Sequence, residues 1–530
     1  MPPVASRFRD PSTIFFQNDS VRRCIIASYW IIIVLAIPLW WKTTSIERLG
    51  LPTSQVYAEA EKKLRIPLSI CLDEIFIDEV AKVMTGFQDT AEYLDVKVTA
   101  GWECNQSNSS SDYTVAWEDK LEIQDRTLYH PLSGSLTNTL KSLLAPQIDP
   151  RAAQYAPRYR LSFTLLNEDG SAGQVVNGWD IQEAIQRHVS PITSALSMLH
   201  NFTIESQVQF HAPLAFEPQS LSEGAYGLTP EDLTVFVNSA EWTLSSSSSN
   251  DPVLHFVLFV PSAERRPLRI LNEDGTPSTS SAFLIPQWGG IVILNLPSPS
   301  SSQDESPSPS ERVRLTADDL RQSFGAFSRQ MTTLLGVPKL PPAISVSSSS
   351  PSSSSSFSTP FTHWQIDTLL RLRTHENIRR SQDTLRSTVK VVDEIEGMPV
   401  GEEVQNQVRG SLGALKHVLE ILSDDGNTQL TATPNTPTSQ YLSSLLAYSA
   451  RALTLSSKAF FNPGMLAMLY FPAEHKYAVY TPLFASAMIP LVVAAMREVK
   501  AWMKERKEKR AALGGGGGEV RDGPPEQRED

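Results

Sequence analysis

Cysteine is scarce in this 530-residue chain, and that scarcity narrows the chemistry at once. Three residues, Cys24, Cys71 and Cys104, are too few for a disulfide scaffold. No Cys-x-x-Cys exists. The nine histidines stand at no spacing that would place two of them beside a glutamate on one helix face, so no zinc motif is present. Neither a Gly-x-Ser-x-Gly elbow nor a phosphate-cradling glycine loop occurs. Positive charge is short as well. Forty-six Lys and Arg face 58 Asp and Glu, for a net charge of −12, and no basic stripe exists outside the C-terminal tail. That balance excludes nucleic acid as a partner. No metal, cofactor or catalytic residue is expected.

Long apolar runs are what the chain does have. Residues 477–496 carry no charge; His475 and Lys476 precede them and Arg497 closes them. Twenty residues at about 1.5 Å each span roughly 30 Å, the thickness of a bilayer's hydrocarbon core. Arg497, Lys500, Lys504, Arg506, Lys507, Lys509 and Arg510 follow, which puts the C-terminal side in the cytosol. Residues 24–41 are also uncharged, between Arg22–Arg23 and Lys42. Their roughly 27 Å suits the thinner endoplasmic-reticulum bilayer. Arg7, Arg9, Arg22 and Arg23 outnumber Lys42 and Arg48, so this end is cytosolic too. Trp40-Trp41-Lys42 is unlike a small-residue cleavage site, and the apolar core is too long for a removed signal.

The expected organisation follows: a cytosolic tail (1–23), a first span (24–41), an α/β domain (42–343), a serine-rich linker (344–363), a helical region (364–476), a second span (477–496) and a charged cytosolic tail (497–530). The fold class is thus an α/β non-cytosolic domain plus a helical segment, anchored by two transmembrane helices. Residues 66–72, 96–102, 159–166 and 203–210 read as strands. Residues 253–260 (VLHFVLFV) are apolar on both faces, the pattern of a central, covered strand. Asn167-Glu-Asp-Gly170 signals a turn, with 175–179 as the returning strand of a hairpin. Asp180 is placed to cap a helix that Pro191 interrupts. Serine- and proline-rich stretches at 245–249, 297–309 and 347–358 bury nothing and read as loops. Helical spacing returns at Ile378, Leu385, Val389 and Val392, and again at Val404, Val408, Leu415 and Leu419.

Candidate sites are structural. Asn105, Asn108 and Asn201 are glycosylation acceptors on the non-cytosolic side, while Asn18 matches the motif on the cytosolic side and should stay bare. Cys71 and Cys104 share an oxidising compartment; they either pair or remain two buried thiols. Tyr470, Phe471, His475, Lys476, Tyr477 and Tyr480 form an interfacial anchor at headgroup level. Ser486 and Pro490 mark helix packing within the second span, since Pro490 frees the Ser486 carbonyl for another donor. His255 inside an apolar strand reads as a satisfied core histidine.

Several blocks resemble one family, the PIG-S subunit of the glycosylphosphatidylinositol (GPI) transamidase. They are PLWWKTTSIERLGLP from Pro38, RYRLSFTLLNEDG from Arg158, LHFVLFVPS from Leu254, FLIPQWGGIVILN from Phe283, FGAFSRQMTTLLGVP from Phe324 and MLAMLYFPAEHKYAVYTPLF from Met465. The resemblance implies a non-catalytic, scaffolding subunit in the endoplasmic-reticulum membrane. It would help attach preassembled GPI to the C-termini of precursor proteins. Its implied partners are the other transamidase subunits, including the cysteine-protease-like subunit that supplies the nucleophile, together with ER membrane lipids. The rival reading is a free-standing membrane-anchored lumenal enzyme acting on lipid or glycan.

Overall fold

A computed structural model describes residues 19–44, 48–102, 104, 112–147, 149–171, 175–221, 224–244, 250–296, 312–347, 360–395, 398–423, 438–465 and 473–514. They form two compact units. One comprises Met1–Leu51, Thr388–Asn406 and Ala459–Asp530, the other Pro52–Ser387 and Gln407–Lys458, each over its described residues.

The first unit holds two long helices, Asp19–Thr44 and Ala473–Gly514. Proline lies inside both, at Pro38 and at Pro482 and Pro490. Arg22 pairs with Glu498, and Arg23 reaches Glu498 at 3.3 Å and Glu505 at 3.1 Å. Arg22 and Arg23 directly precede one apolar run and Glu498 directly follows the other, so the pairs join corresponding ends of the two. The apolar side chains face outward: Ile31, Leu35 and Ile489 are more than half exposed. Residues 48–51 run beside 398–406, with Leu49 N donating to Val400 O at 2.9 Å.

In the second unit, five strands open the fold: β1 (Ile66–Leu72), β2 (Leu94–Ala100), β3 (Tyr113–Trp117), β4 (Glu122–Gln124) and β5 (Thr127–His130). Next come β6 (Arg158–Asn167), β7 (Val175–Trp179), β8 (Asn201–Gln209), β9 (Gln219–Ser220), β10 (Tyr226–Leu228) and β11 (Val253–Val260). The last are β12 (Leu268–Ile270), β13 (Ala282–Ile285), β14 (Gly289–Ile293), β15 (Arg312–Leu315) and β16 (Ser345–Val346). They build a six-stranded sheet ordered β16-β4-β5-β3-β1-β2 and a five-stranded sheet ordered β13-β14-β11-β6-β8.

The first sheet alternates. Ile66, Leu68, Ile70 and Leu72 of β1 are buried, whereas Pro67 is exposed and Ser69 and Cys71 are half-buried. In β2, Asp95 and Lys97 are exposed. Period-2 burial of this kind belongs to a sheet with one covered face. The covered face meets the helix His363–Glu394, where Trp364 stacks on Tyr113 at 4.0 Å. Thr362 and Gln365 form a capping box at the start of that helix: each backbone N–H reaches the other's side chain, at 3.0 and 3.3 Å.

The central strands of the second sheet are buried on both faces. Every residue of β6 after Arg158 is buried, as is every residue of β11 after Val253. Phe163, Phe256, Phe324 and Phe327 pack on one side, with ring centroids 5.1–6.1 Å apart. On the other side Val257, Phe259, Ile291 and Ile293 join Phe236 and Trp242. β14 lies against β11 so closely that a Cβ on Gly289 would stand 2.0 Å from His255 O, which only glycine avoids.

Two expectations change here. Residues 159–179 do not form a hairpin. Both edges of β6 are taken by parallel strands β8 and β11, and β7 pairs with β15 instead. The turn itself is real. It leads out of the sheet, and the Asn167 amide group, not the backbone of β6, holds the start of β7: Nδ2 donates to Val176 O at 2.9 Å and Oδ1 accepts from Val176 N at 3.0 Å. Asp180 makes no side-chain cap, because Arg314 takes its carboxylate at 2.8 and 3.0 Å. The helix after it does break as Pro191 requires, into Ile181–His188 and Ser190–Ala195.

Candidate functional site

Open α/β sheets receive ligands outside the carboxyl ends of their strands, where the strand order reverses. In the second sheet that point lies between β6 and β11, since the chain leaves β6 for β8 on one side and returns to β11 on the other. Glu168, the residue after β6, occupies it. Its backbone N donates to Val260 O at 3.0 Å, and its carboxylate accepts from Ser262 N at 2.8 Å and from the Arg265 guanidinium. Glu168 is 4% exposed. The carboxylate is held by neighbours that match its charge, so the position is closed.

In the first sheet the reversal falls between β1 and β3. Asp73, the residue after β1, spans it. Asp73 N donates to Val115 O at 2.9 Å, and Trp117 N reaches Asp73 Oδ2 at 3.5 Å. Beside it, Cys71 and Cys104 are joined in a disulfide, with Cα atoms 5.7 Å apart. The crevice of the second sheet is therefore filled by the buried Glu168, whereas half-buried Asp73 only bridges that of the first. The Asn-Glu-Asp-Gly segment reads from sequence as a turn only. The signal for more was a glutamate placed directly after a strand whose apolar residues alternate with Arg160, Ser162 and Thr164.

Buried titratable groups lie elsewhere. Asp367, fully buried, accepts from Arg126 at 2.8 Å and from the Tyr113 hydroxyl at 3.1 Å. Arg371 donates to Tyr113 Oη and to Asp112, each at 3.2 Å. This cluster ties β3 to the helix His363–Glu394. Burial pushes the Asp367 carboxyl up, against the pull of Arg126 and Arg371. His200, enclosed by Tyr155, Tyr159 and Phe202, has its pKa lowered to about 4 by burial; its Nδ1 lies 2.6 Å from Ala156 O. His255 stacks on Trp288 at 4.7 Å, and burial lowers it to about 4 as well. Its Nδ1 is buried with no hydrogen-bond partner among the described residues, so the histidine expected to be satisfied is not satisfied at that nitrogen. An open groove of about 680 Å³ runs past Tyr155, Pro157, Arg380, Asp383, Leu453 and Lys458. Among the described residues, no three His, Cys, Asp or Glu side chains group as metal ligands.

The remaining expected positions scatter. Asn201 opens β8 and is exposed. Asn105 and Asn108, like Tyr470 and Phe471, lie outside the described residues. His475, Lys476, Tyr477 and Tyr480 fall on the helix Ala473–Gly514, as do Ser486 and Pro490, which are exposed. Among the described residues one helical stretch, Ser20–Pro38, is long and apolar enough to cross a membrane.

These features define a mixed α/β protein with an N-terminal helix of membrane-crossing length. The family model for phosphatidylinositol-glycan biosynthesis class S protein matches residues 27–131 and 126–505. The chain belongs to that family. Among curated relatives it is similar to the GPI transamidase component PIG-S homolog of Schizosaccharomyces pombe, at 30% identity over 93% of this chain and 87% of the relative. It is also similar to the GPI-anchor transamidase component PIGS of Homo sapiens, at 28% identity over 90% and 95%. The GPI transamidase component GPI17 of Saccharomyces cerevisiae matches at 23% over 93% and 94%.

Proposed function

We propose that this chain is a non-catalytic subunit of a GPI transamidase complex in the endoplasmic-reticulum membrane. It crosses the bilayer twice, through 24–41 and 477–496, with both termini cytosolic and residues 42–476 in the lumen. The observation that carries the non-catalytic reading is the closure of the second sheet's carboxyl-end crevice by buried, partnered Glu168. The relatives named as transamidase components, aligned over nearly all of this chain, support the complex.

The topology draws on the ion pairs of the first unit. Arg22 and Arg23 meet Glu498 and Glu505 where both apolar runs end, the arrangement expected when both ends emerge on one side of a bilayer. The outward apolar side chains then face lipid or the spans of other subunits, and Ser486 and Pro490 lie along the packing face. Tyr470, Phe471, His475, Lys476, Tyr477 and Tyr480 set the height of the lumenal part over the bilayer. In the lumen, the Cys71–Cys104 disulfide persists and sugars occupy Asn105, Asn108 and Asn201. The nucleophile of transamidation belongs to a separate cysteine-protease-like subunit.

Affinity purification of the full chain in mild detergent, with identification of what accompanies it, tests this. Recovery of the other transamidase subunits is expected. A chain recovered alone would overturn the assignment.

A further inference from the structure

Strands β1, β2, β3 and β5 run parallel, so the connections leaving their carboxyl ends gather along one edge. In the spatial order β5, β3, β1, β2 this edge presents Leu132, Trp117 (the last residue of β3), Ile75 with Ile77, and Trp102. All five are exposed, at 61, 44, 52, 57 and 62% respectively. With strands about 4.8 Å apart, the row extends across roughly 15 Å.

The support beneath the row is braced. The disulfide joins β1 to the connection after β2, Gly101 N donates to Leu72 O at 3.0 Å, and Phe76 packs edge-on against His130 at 6.1 Å. Two tryptophans and three aliphatic side chains held outward in a row leave apolar area in water that another surface would remove.

The surrounding charge selects that surface. Glu74, Asp78, Glu118 and Asp119 are exposed on the same connections. Lys120 is the cation beside them, and the nearby Lys82 pairs with Glu79 at 2.6 Å. Anionic lipid headgroups would be repelled, and a neutral bilayer gives these carboxylates no role. We propose that this rim docks a neighbouring protein chain, through a segment that offers apolar side chains flanked by lysine or arginine. The inference rests on the subunit reading above and locates one face through which it acts. Trp102 and Trp117 are the anchors and the carboxylates the polar border, the usual anatomy of a protein interface.

The test uses the full chain expressed with its complex and purified in mild detergent. The double variant W102A/W117A is expected to lower recovery of at least one lumenal partner about tenfold or more. Glu118→Lys with Asp119→Lys should lower it less, and more clearly at low salt. Because these side chains are exposed, the thermal midpoint of the chain stays unchanged. In the otherwise unaltered chain, a photo-crosslinking residue at Ile77 is expected to capture a basic, apolar segment of a partner. Unchanged recovery of every subunit, or crosslinks to lipid alone, would overturn the docking surface while leaving the subunit reading in place. An unaltered chain that purifies alone would sink the subunit reading, and the docking surface with it.

Discussion

The two sheets use the same parallel architecture for different ends. The second is a core: β6 and β11 are buried on both faces, and aromatic rings fill the space on either side. The first is a platform: one face packs on the helix His363–Glu394 while Asp95 and Lys97 face outward, and its carboxyl edge carries exposed tryptophans. The contrast separates the part of the chain that holds the fold from the part free to meet something else. It also accounts for the unbroken apolar run of β11 beside the alternation of β1, while β6 buries polar residues by partnering them: Ser162 Oγ donates to Leu244 O at 2.9 Å and Thr164 Oγ1 accepts from Gln207 at 3.2 Å.

Core substitutions should break the contrast most strongly. Phe163→Ala or Phe256→Ala removes a fully buried ring from a stacked group and is expected to cost about 3–5 kcal/mol. Asp95→Ala or Lys97→Ala, on the open face of the first sheet, should stay within about 0.5 kcal/mol. Thermal midpoints of the full chain in detergent distinguish the two, and equal effects would mean that the open face is covered.

Next in size is the disulfide. Cys71→Ser opens a link between positions 33 residues apart and should cost about 2–4 kcal/mol. Hydrogen exchange should place the loss in β1 and β2 and leave β6 and β11 protected. Loss spread evenly over both sheets would contradict this division.

Acid should act on the second sheet instead. His200 and His255 are neutral in the folded chain, with pKa values lowered from 6.5 to about 4. Below about pH 6.5 the unfolded chain takes up a proton on each, and the folded chain does so only near pH 4. Stability present at neutral pH is therefore lost as pH falls through that window, by at most about 3 kcal/mol for each histidine. Replacing His255 with Phe should flatten the profile between pH 6.5 and 4. An unchanged slope would show that His255 is not the group responsible.

Much of the core was legible in the sequence. The run VLHFVLFV declares a covered central strand, and β11 is one. Helical spacing at Ile378, Leu385, Val389 and Val392 gives the buried stripe of the helix His363–Glu394. The pairing of β7 was not legible, because periodicity says which faces are buried and nothing of which strand lies alongside. Asn167 substituting for a strand neighbour leaves no periodic trace. Nor was the apolar edge. Leu132, Trp117, Ile75 and Trp102 are spread over some sixty residues and become neighbours only once the strand order is known. Asp73 and Glu168 read as ordinary turn and strand-end residues for the same reason.

The carboxylates at the two crevices are tested most directly in the assembled complex. Glu168→Gln weakens the closure of the second sheet and Asp73→Asn the bridge across the first, each keeping its shape, and transamidation is measured per assembled complex. If these carboxylates only hold the fold, that activity stays within about twofold of the unaltered complex and any loss follows the amount assembled. Full assembly with activity abolished by either substitution would contradict the non-catalytic role.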